Sequence, residues 1–496
     1  MAEKEVINYL PAGPVANAFH LSHAFVRGLM GPVGSSKSSA CCAEIFDRAC
    51  RQTPDSKRVR PTRWGVFRNT YPELKSTTIK TWLEWFPMTM MSWDAPITGK
   101  LDFWLPDKTR VQAEVQFFAL ERPEDVDKIS SLELTGAWMN EAREMAKKVL
   151  DKCTERVGRY PKLKRVPPSW RGVILDTNPP DDDHWYYALA EGSNAEMAEQ
   201  TQAAERKLRE LGYLKADQPL FQFFKQPGGL ILTASGEYEP NPAAENIPHL
   251  DGGYAYYFRQ LAGKDAEWIK SQVLGQYASI FDGKPVYEGW SDETYCRPVE
   301  AVDDVALTIG LDYGLSPAAA ICQFLPDGRF HVLDEIVAED TDAERFAIDL
   351  LKPFLSQKYP RHKYACVGDP AGMNRAQTNA KTVFETLAEN GIIAAPAISN
   401  EPTRRIQAVK HYLSRLVIGK PAFALNPRAA TLRKGFNGGY HYRRLQMGTG
   451  NFRSIPDKNR YSHPHDALQY AALFAQIGAA GSDWTSKVPY RTTEVV

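Results

Sequence analysis

One eight-residue stretch constrains this chain more than any other: Gly31-Pro32-Val33-Gly34-Ser35-Ser36-Lys37-Ser38. It follows a short apolar run, Phe25 to Met30. It precedes Ser38 to Arg51, where Ala, Cys, Ile and Phe fall on one helical face. A glycine-rich turn between a strand and a helix aims backbone N–H groups and the positive helix end at one point, which suits a phosphate. The spacing approaches Gly-x4-Gly-Lys-Ser/Thr, with Ser36 where the second glycine is expected. In that reading Gly31, Gly34, Ser35 and Ser36 form the cradle. Lys37 reaches the β- and γ-phosphates of ATP, and Ser38 holds Mg2+. The competing reading is a Ser/Gly-rich turn with a chance lysine.

Strands alternating with helices surround this loop and predict a mostly parallel α/β sheet. Trp64 to Arg68 and Val111 to Leu120 read as strands, Gly136 to Met139 and Gly172 to Leu175 as short buried strands, and 194–213 as a surface helix. The third of these strands ends in Asn140-Glu141. Glu141 is placed to orient an attacking water, while Asn140 stands where a metal-side aspartate is usual. The fourth runs into Asp176-Thr177-Asn178-Pro179, where Asn178 is a candidate γ-phosphate sensor. Each alone reads equally as a surface charge or an Asx-turn; the three in this order reinforce one another.

The second half begins afresh. Residues 305–312, 318–324 and 330–337 predict three strands, with an Asp-Gly turn at Asp327-Gly328. A helix over 342–359, a strand over 364–369, a helix over 381–390, a strand over 392–398 and a helix over 403–417 complete a βββαβαβα order. Asp312 and Asp369 end the first and fourth strands, and Asp466 opens an apolar helix. Carboxylates on two strand ends and a facing helix suit two Mg2+ or Mn2+ ions, the arrangement for phosphodiester hydrolysis. Taken singly, each aspartate reads as a turn residue or helix cap. His463 and His465 flank Asp466 as phosphate or metal contacts, or as ordinary loop histidines.

Composition narrows the classes. With 60 basic and 60 acidic residues there is no global field for nucleic acid. Local clusters remain: eight Lys/Arg against Asp457 between Arg428 and Arg460, interleaved with Phe436, Tyr440 and Tyr442, and seven against Glu155 over 152–171. Such clusters suit phosphate neutralisation; the alternative is a solvated charged face. No apolar stretch is long enough to span a membrane and no signal peptide is evident. Seven cysteines without Cys-x-x-Cys spacing predict reduced thiols in a cytoplasmic protein. The expected organisation is a phosphate-loop ATPase domain over 1–260, in which the family resemblance given below implies a lid near 180–260. A connecting region over 261–303, a ribonuclease-H-like nuclease domain over 304–476 and a loose tail over 477–496 follow.

A phosphate-loop ATPase followed by a ribonuclease-H-like nuclease resembles the large terminase subunit of tailed bacteriophages. The resemblance covers about 1–476. It is carried by Gly31–Ser38, Val66–Leu74, Arg122-Pro-Glu-Asp125, Leu132–Ala142, Thr177-Asn-Pro179, Leu311-Asp-Tyr-Gly314, Gly368-Asp369 and His465-Asp-Ala467. The resemblance implies an ATP-driven motor that pumps double-stranded DNA into a procapsid, and an endonuclease that cuts concatemeric DNA. It also implies a homo-oligomeric ring, usually a pentamer, docked on the portal protein in the host cytoplasm, with a small terminase subunit selecting DNA and the tail docking on the portal. Ser36 and Asn140 depart from the family pattern, and no arginine lies inside the loop after Gly31. Arg122, acting from the next subunit, is the candidate for the transition-state cation, with Arg68 and Arg143 as rivals. Two other classes stay open: a transposase or recombinase with an accessory ATPase domain, and a DNA-binding protein with an inactive phosphate loop.

Overall fold

The computed structural model describes residues 8–278, 283–313, 316–373, 381–443, 452–479 and 491–492. Gly314, Arg444 and most of the tail fall outside them. The chain divides into two compact units, Met1–Ile280 and Phe281–Val496. The stretch read as a connecting region is thus shared. Ile269, Val273 and Leu274 pack on Leu230 and Tyr257 of the first unit, while Val286 and Tyr287 are buried in the second.

The first unit is built on an eight-stranded sheet. Its elements are α1 (Pro14–Leu21), β1 (Val26–Met30), α2 (Lys37–Arg51), β2 (Val59–Arg68), β3 (Met90–Ser92), β4 (Ile97–Trp104), β5 (Arg110–Ala119), β6 (Gly136–Asn140), β7 (Gly172–Thr177) and β8 (Phe221–Lys225). The strand order is β3-β4-β5-β2-β6-β7-β1-β8, parallel from β5 to β8 with an antiparallel β3-β4 edge. Every residue of β1, β6 and β7 is buried, as strands covered on both faces require. β4 and β5 alternate buried and open positions because one face is less covered. β8 makes the 180–260 span part of the sheet as well as a cover over the loop.

α2 buries Ala40, Cys41, Cys42, Ile45 and Ala49 against Leu29, Trp64, Val66, Trp138 and Ile174. On the same helix Glu44 is fully buried, yet charged. Its carboxylate meets Arg27 at 2.6 Å, Arg48 at 2.7 Å and His20 at 2.7 Å. The Arg27 guanidinium also lies over the Phe19 and Trp170 rings. This cluster ties α1, β1 and α2 together just behind the loop. Removing one partner strands buried charge and costs roughly 3–5 kcal/mol.

The second unit carries a seven-stranded sheet. Its elements are β9 (Leu307–Asp312), β10 (Ala318–Phe324), β11 (Phe330–Val337), β12 (Lys363–Gly368), β13 (Ala394–Pro396), α3 (Pro402–Ser414), β14 (Phe423–Leu425) and α4 (Ser462–Ala479). The order is β13-β12-β9-β10-β11-β14, with Arg491–Thr492 pairing antiparallel to β12. β9, β10 and β11 form an antiparallel meander, and β12 returns parallel to β9. This is the ribonuclease-H-like order expected from the sequence. Along β10, Ala318, Ala320 and Cys322 face α4 while Ala319 and Ile321 face the opposite core, the period-2 split of a strand buried on both sides. A side chain at Gly310 would collide with the Ala467 carbonyl, so α4 lies directly on β9.

Candidate active sites

In the first unit the loop leaves β1 at Met30 and enters α2 at Lys37. Gly34 has φ +73° and Ser36 φ +66°. The left-handed backbone that the pattern assigns to glycine is therefore kept here by a serine, at a steric cost of about 1–2 kcal/mol. The loop is held from beneath. Asn178 Nδ2 donates to Gly31 O at 3.0 Å, Ser35 Oγ donates to Pro32 O at 2.8 Å, and the Gln226 amide brackets Ser35. From above, Asn246 Nδ2 donates to Gly34 O and the Tyr257 hydroxyl to Val33 O. Val33–Ser39, Thr81, Glu141 and Asn178 line a cleft of about 250 Å3. Lys37 is buried, its Nζ donating to Pro32 O at 2.7 Å. Burial pulls its ammonium below the ordinary value, opposed by the Glu141 and Asp176 carboxylates.

Glu141 is a residue the fold strains. It has φ +55°, ψ +58°, a conformation that costs a non-glycine residue about 1–3 kcal/mol and concentrates at functional sites. The turn aims its carboxylate into the loop cleft, where Oε2 is buried without a hydrogen bond among the described residues. Arg143 Nε lies 3.8 Å away. Arg68 is buried and paired with Glu73 and Glu144. Arg122 is exposed at the start of the turn over 123–131 and does not line the cleft.

Asn140 stands at the end of β6 as expected, and both ends of its amide are engaged by neighbouring side chains. Its Nδ2 donates to both Asp176 oxygens, at 3.0 and 3.1 Å, and its Oδ1 accepts from Thr78 Oγ1 at 2.6 Å. Asp176, which sequence reasoning passed over, is fully buried and accepts from Ser38 Oγ at 2.7 Å and Trp138 Nε1 at 2.8 Å. Its only signal in the sequence is one acid at the end of an apolar strand. Gln226 gave no signal; only the β1–β8 pairing brings it under the loop.

In the second unit the register Leu311↔Gly368 makes Asp312 and Asp369 the next residues on adjacent parallel strands. Asp312 is buried and accepts from His463 Nδ1 at 2.7 Å. Burial raises its carboxyl above the usual range; the His463 hydrogen bond opposes this and the Asp466 charge adds to it. Asp369 is half-buried and accepts from Ala371 N. Asp466 lies in the second turn of α4, not at its start, because the helix begins four residues earlier at Ser462. Its oxygens meet Lys458 Nζ at 2.6 Å and Arg405 NH1 at 3.2 Å. Among the described residues, no three His, Cys, Asp or Glu side chains come together as a metal site would need. Asp312 and Asp369 suit divalent cations by charge and position, whereas Asp466 is occupied by two basic side chains. His463 and His465 are helical, not loop residues. His465 is buried, stacks on Tyr440 at 4.8 Å, and burial pushes its imidazole down to about 3.

The basic clusters are less free than their sequence suggests. Arg428 pairs with Glu300 and Asp334, Arg433 with Asp292, Arg453 with Asp457 and Lys458 with Asp466. Phe436 and Tyr440 are core residues of the second unit, so they are not open stacking surfaces. Over 152–171, Lys152 and Arg156 meet Glu155, Lys162 meets Glu133 and Arg165 meets Asp55.

Solved structures run parallel to this chain over most of its length. A large terminase from a thermophilic bacteriophage is 14% identical, covering 92% of this chain and 94% of that one with a TM-score of 0.35. The HK97 bacteriophage large terminase is 11% identical, covering 95% and 96% with a TM-score of 0.40. The P22 large terminase nuclease domain is 13% identical, covering 39% of this chain and 92% of that one with a TM-score of 0.31. Over nine-tenths of its length this chain is similar to large terminases. No family model and no curated protein matches it. No helix among the described residues is long and apolar enough to cross a membrane.

Proposed function

We propose that this chain is a viral genome-packaging motor. Its first unit hydrolyses ATP to translocate double-stranded DNA into a procapsid, and its second cuts concatemeric DNA. The observation that carries the reading is the strained Glu141, whose carboxylate enters the cleft formed by Gly31, Gly34, Ser35, Ser36, Lys37 and Ser38. A carboxylate there orients the water that attacks the γ-phosphate, and Lys37, turned from Pro32 O to the nucleotide, neutralises the β/γ oxygens. Asn178 holds the loop through Gly31 O, so nucleotide-dependent movement of the loop is felt at the end of β7. In the second unit Asp312, Asp369 and Asp466 would hold two Mg2+ or Mn2+ ions, which activate water and stabilise the leaving oxygen in phosphodiester hydrolysis. The partners follow from the same reading: DNA, a portal protein, a small terminase subunit, and further copies of this chain in a ring transiently docked on the procapsid in the host cytoplasm.

The test is plasmid cleavage and DNA-stimulated ATP hydrolysis by the full chain. Lys37→Ala and Glu141→Gln are expected to lose hydrolysis while keeping cleavage. Asp312→Ala, Asp369→Ala and Asp466→Ala are expected to lose metal-dependent cleavage while keeping hydrolysis. Cleavage that persists in all three aspartate variants removes the nuclease assignment, and hydrolysis that survives Lys37→Ala removes the motor.

A further inference from the structure

Asp176 occupies a position that the loop chemistry leaves without a carboxylate. In phosphate-loop enzymes the nucleotide-bound Mg2+ is held by the loop Ser/Thr and by an aspartate at the end of a neighbouring strand. On β6 that residue is Asn140. Its amide nitrogen is a donor only, and its oxygen is engaged by Thr78 Oγ1. One strand over, β7 pairs in parallel register with β6, and the register partner of Asn140 is Asp176. The two side chains touch, and both reach the same hydroxyl: Asp176 Oδ2 lies 2.7 Å from Ser38 Oγ and Asn140 Nδ2 lies 3.3 Å from it.

Asp176 makes its hydrogen bonds with neutral groups. It is fully buried, and its partners Ser38, Trp138 and Asn140 are neutral donors. Among the described residues no Lys or Arg lies within ion-pairing distance of it, since the nearby Lys37 ammonium is directed to Pro32 O. A buried carboxylate without a counter-charge is expensive to keep. The molecule does pair a buried acid elsewhere, giving Glu44 two arginines and a histidine, so the absence of a cation at Asp176 is not a general habit of this core.

We infer that Asp176, not the residue at the end of β6, supplies the carboxylate that holds Mg2+ beside Ser38, with Asn140 as the amide that orients it. The acid stands on β7 and the amide on β6, so the charge lies beside the loop hydroxyl. This assignment rests on the nucleotide-binding reading of the loop.

The experiment is binding of a fluorescent ATP analogue to the full chain, with Mg2+ and with EDTA. Three proteins are compared: wild type, Asp176→Asn, and the exchange pair Asn140→Asp/Asp176→Asn. The wild type is expected to bind more tightly with Mg2+. Asp176→Asn is expected to lose that gain by roughly tenfold or more while keeping its affinity in EDTA. The exchange pair restores the gain, because it returns one carboxylate and one amide to the same two positions. An Asp176→Asn protein that keeps the full Mg2+ gain overturns the assignment. If Asp176→Asn alone fails to fold by circular dichroism, the exchange pair decides: a restored gain supports the assignment and a lost one overturns it. A wild type that binds no nucleotide in either condition overturns instead the reading of the loop itself.

Discussion

Lys458 and Asp466 form an ion pair across the second unit's candidate site, Nζ to Oδ2 at 2.6 Å, while Arg405 holds the other carboxylate oxygen at 3.2 Å. The two cations are not equivalent. The Lys458 side chain is 68% exposed and that of Arg405 6%. Lysine can leave for water at little cost, whereas arginine cannot. A metal at Asp466 therefore competes with Lys458 first. Lys458→Ala is expected to lower the Mg2+ or Mn2+ concentration for half-maximal plasmid cleavage by a factor of about five, the equivalent of about 1 kcal/mol for a pair with one exposed partner. A rise in the metal requirement instead would mean that Lys458 serves the DNA rather than guarding the carboxylate.

Ser36 keeps a glycine's backbone at φ +66° and makes no side-chain capping hydrogen bond to α2. Nothing in the loop offsets its strain. Ser36→Gly is expected to stabilise the folded chain by about 1 kcal/mol and to retain ATP binding. Thermal melting of the two proteins measures the difference. A destabilised variant would show that the serine side chain has a partner in the working loop.

Arg143 and Arg122 separate two ways of supplying transition-state charge. Arg143 lies 3.8 Å from the Glu141 carboxylate in its own chain, whereas Arg122 is exposed. If Arg122 acts across a ring interface, Arg122→Ala leaves ATP binding intact, leaves the monomer's slow turnover unchanged, and collapses turnover in the assembled multimer by roughly 10³ or more. Arg143→Ala would lower turnover in monomer and multimer alike. Hydrolysis measured across protein concentration tells them apart, and full multimer turnover in Arg122→Ala removes that residue from the mechanism.

The buried acid of α2 predicts a pH dependence. Burial alone would raise Glu44; Arg27, His20 and Arg48 outweigh it and hold the carboxyl at about 2. The folded value lies below that of the unfolded chain, about 4.3. The stability it contributes is therefore present above that value and is lost as pH falls through about 2, amounting to about 3 kcal/mol. Glu44→Gln has no such term. Its stability deficit at pH 7 is expected to narrow by about that much between pH 5 and pH 2, followed by denaturant unfolding. A deficit independent of pH would place the cluster's contribution in packing rather than in charge.

Much of this protein was legible in one dimension. The loop at 31–38, the buried strands ending at Asn140 and Thr177, and the βββαβαβα order each rest on local signals: apolar runs, turn residues, a helix period. Asp312 and Asp369 were legible for the same reason, since both end apolar strands, and parallel pairing of β9 with β12 makes them neighbours. Elements with weak local signals were not visible. The β3-β4 hairpin has no Asn-Gly or Asp-Gly turn, and the 8-residue β4 only becomes a strand against β5. The start of α4 at Ser462 was hidden because His463 and Pro464 do not read as an apolar helix.

What only tertiary structure decided is which polar group faces which. The sequence by itself determined that a phosphate loop, a carboxylate at Glu141 and three strand- or helix-borne aspartates exist in one chain. It could not tell that Asp176 joins Asn140 at the Ser38 hydroxyl and makes the shorter contact, because that depends on the register between β6 and β7. It could not tell that Lys458 and Arg405 close on Asp466, or that Phe436 and Tyr440 are core rather than stacking surface. Residue type and local period are written along the chain. Pairing between groups 36 or 61 residues apart is set by how strands and helices pack, and charge and burial at each site follow from that packing.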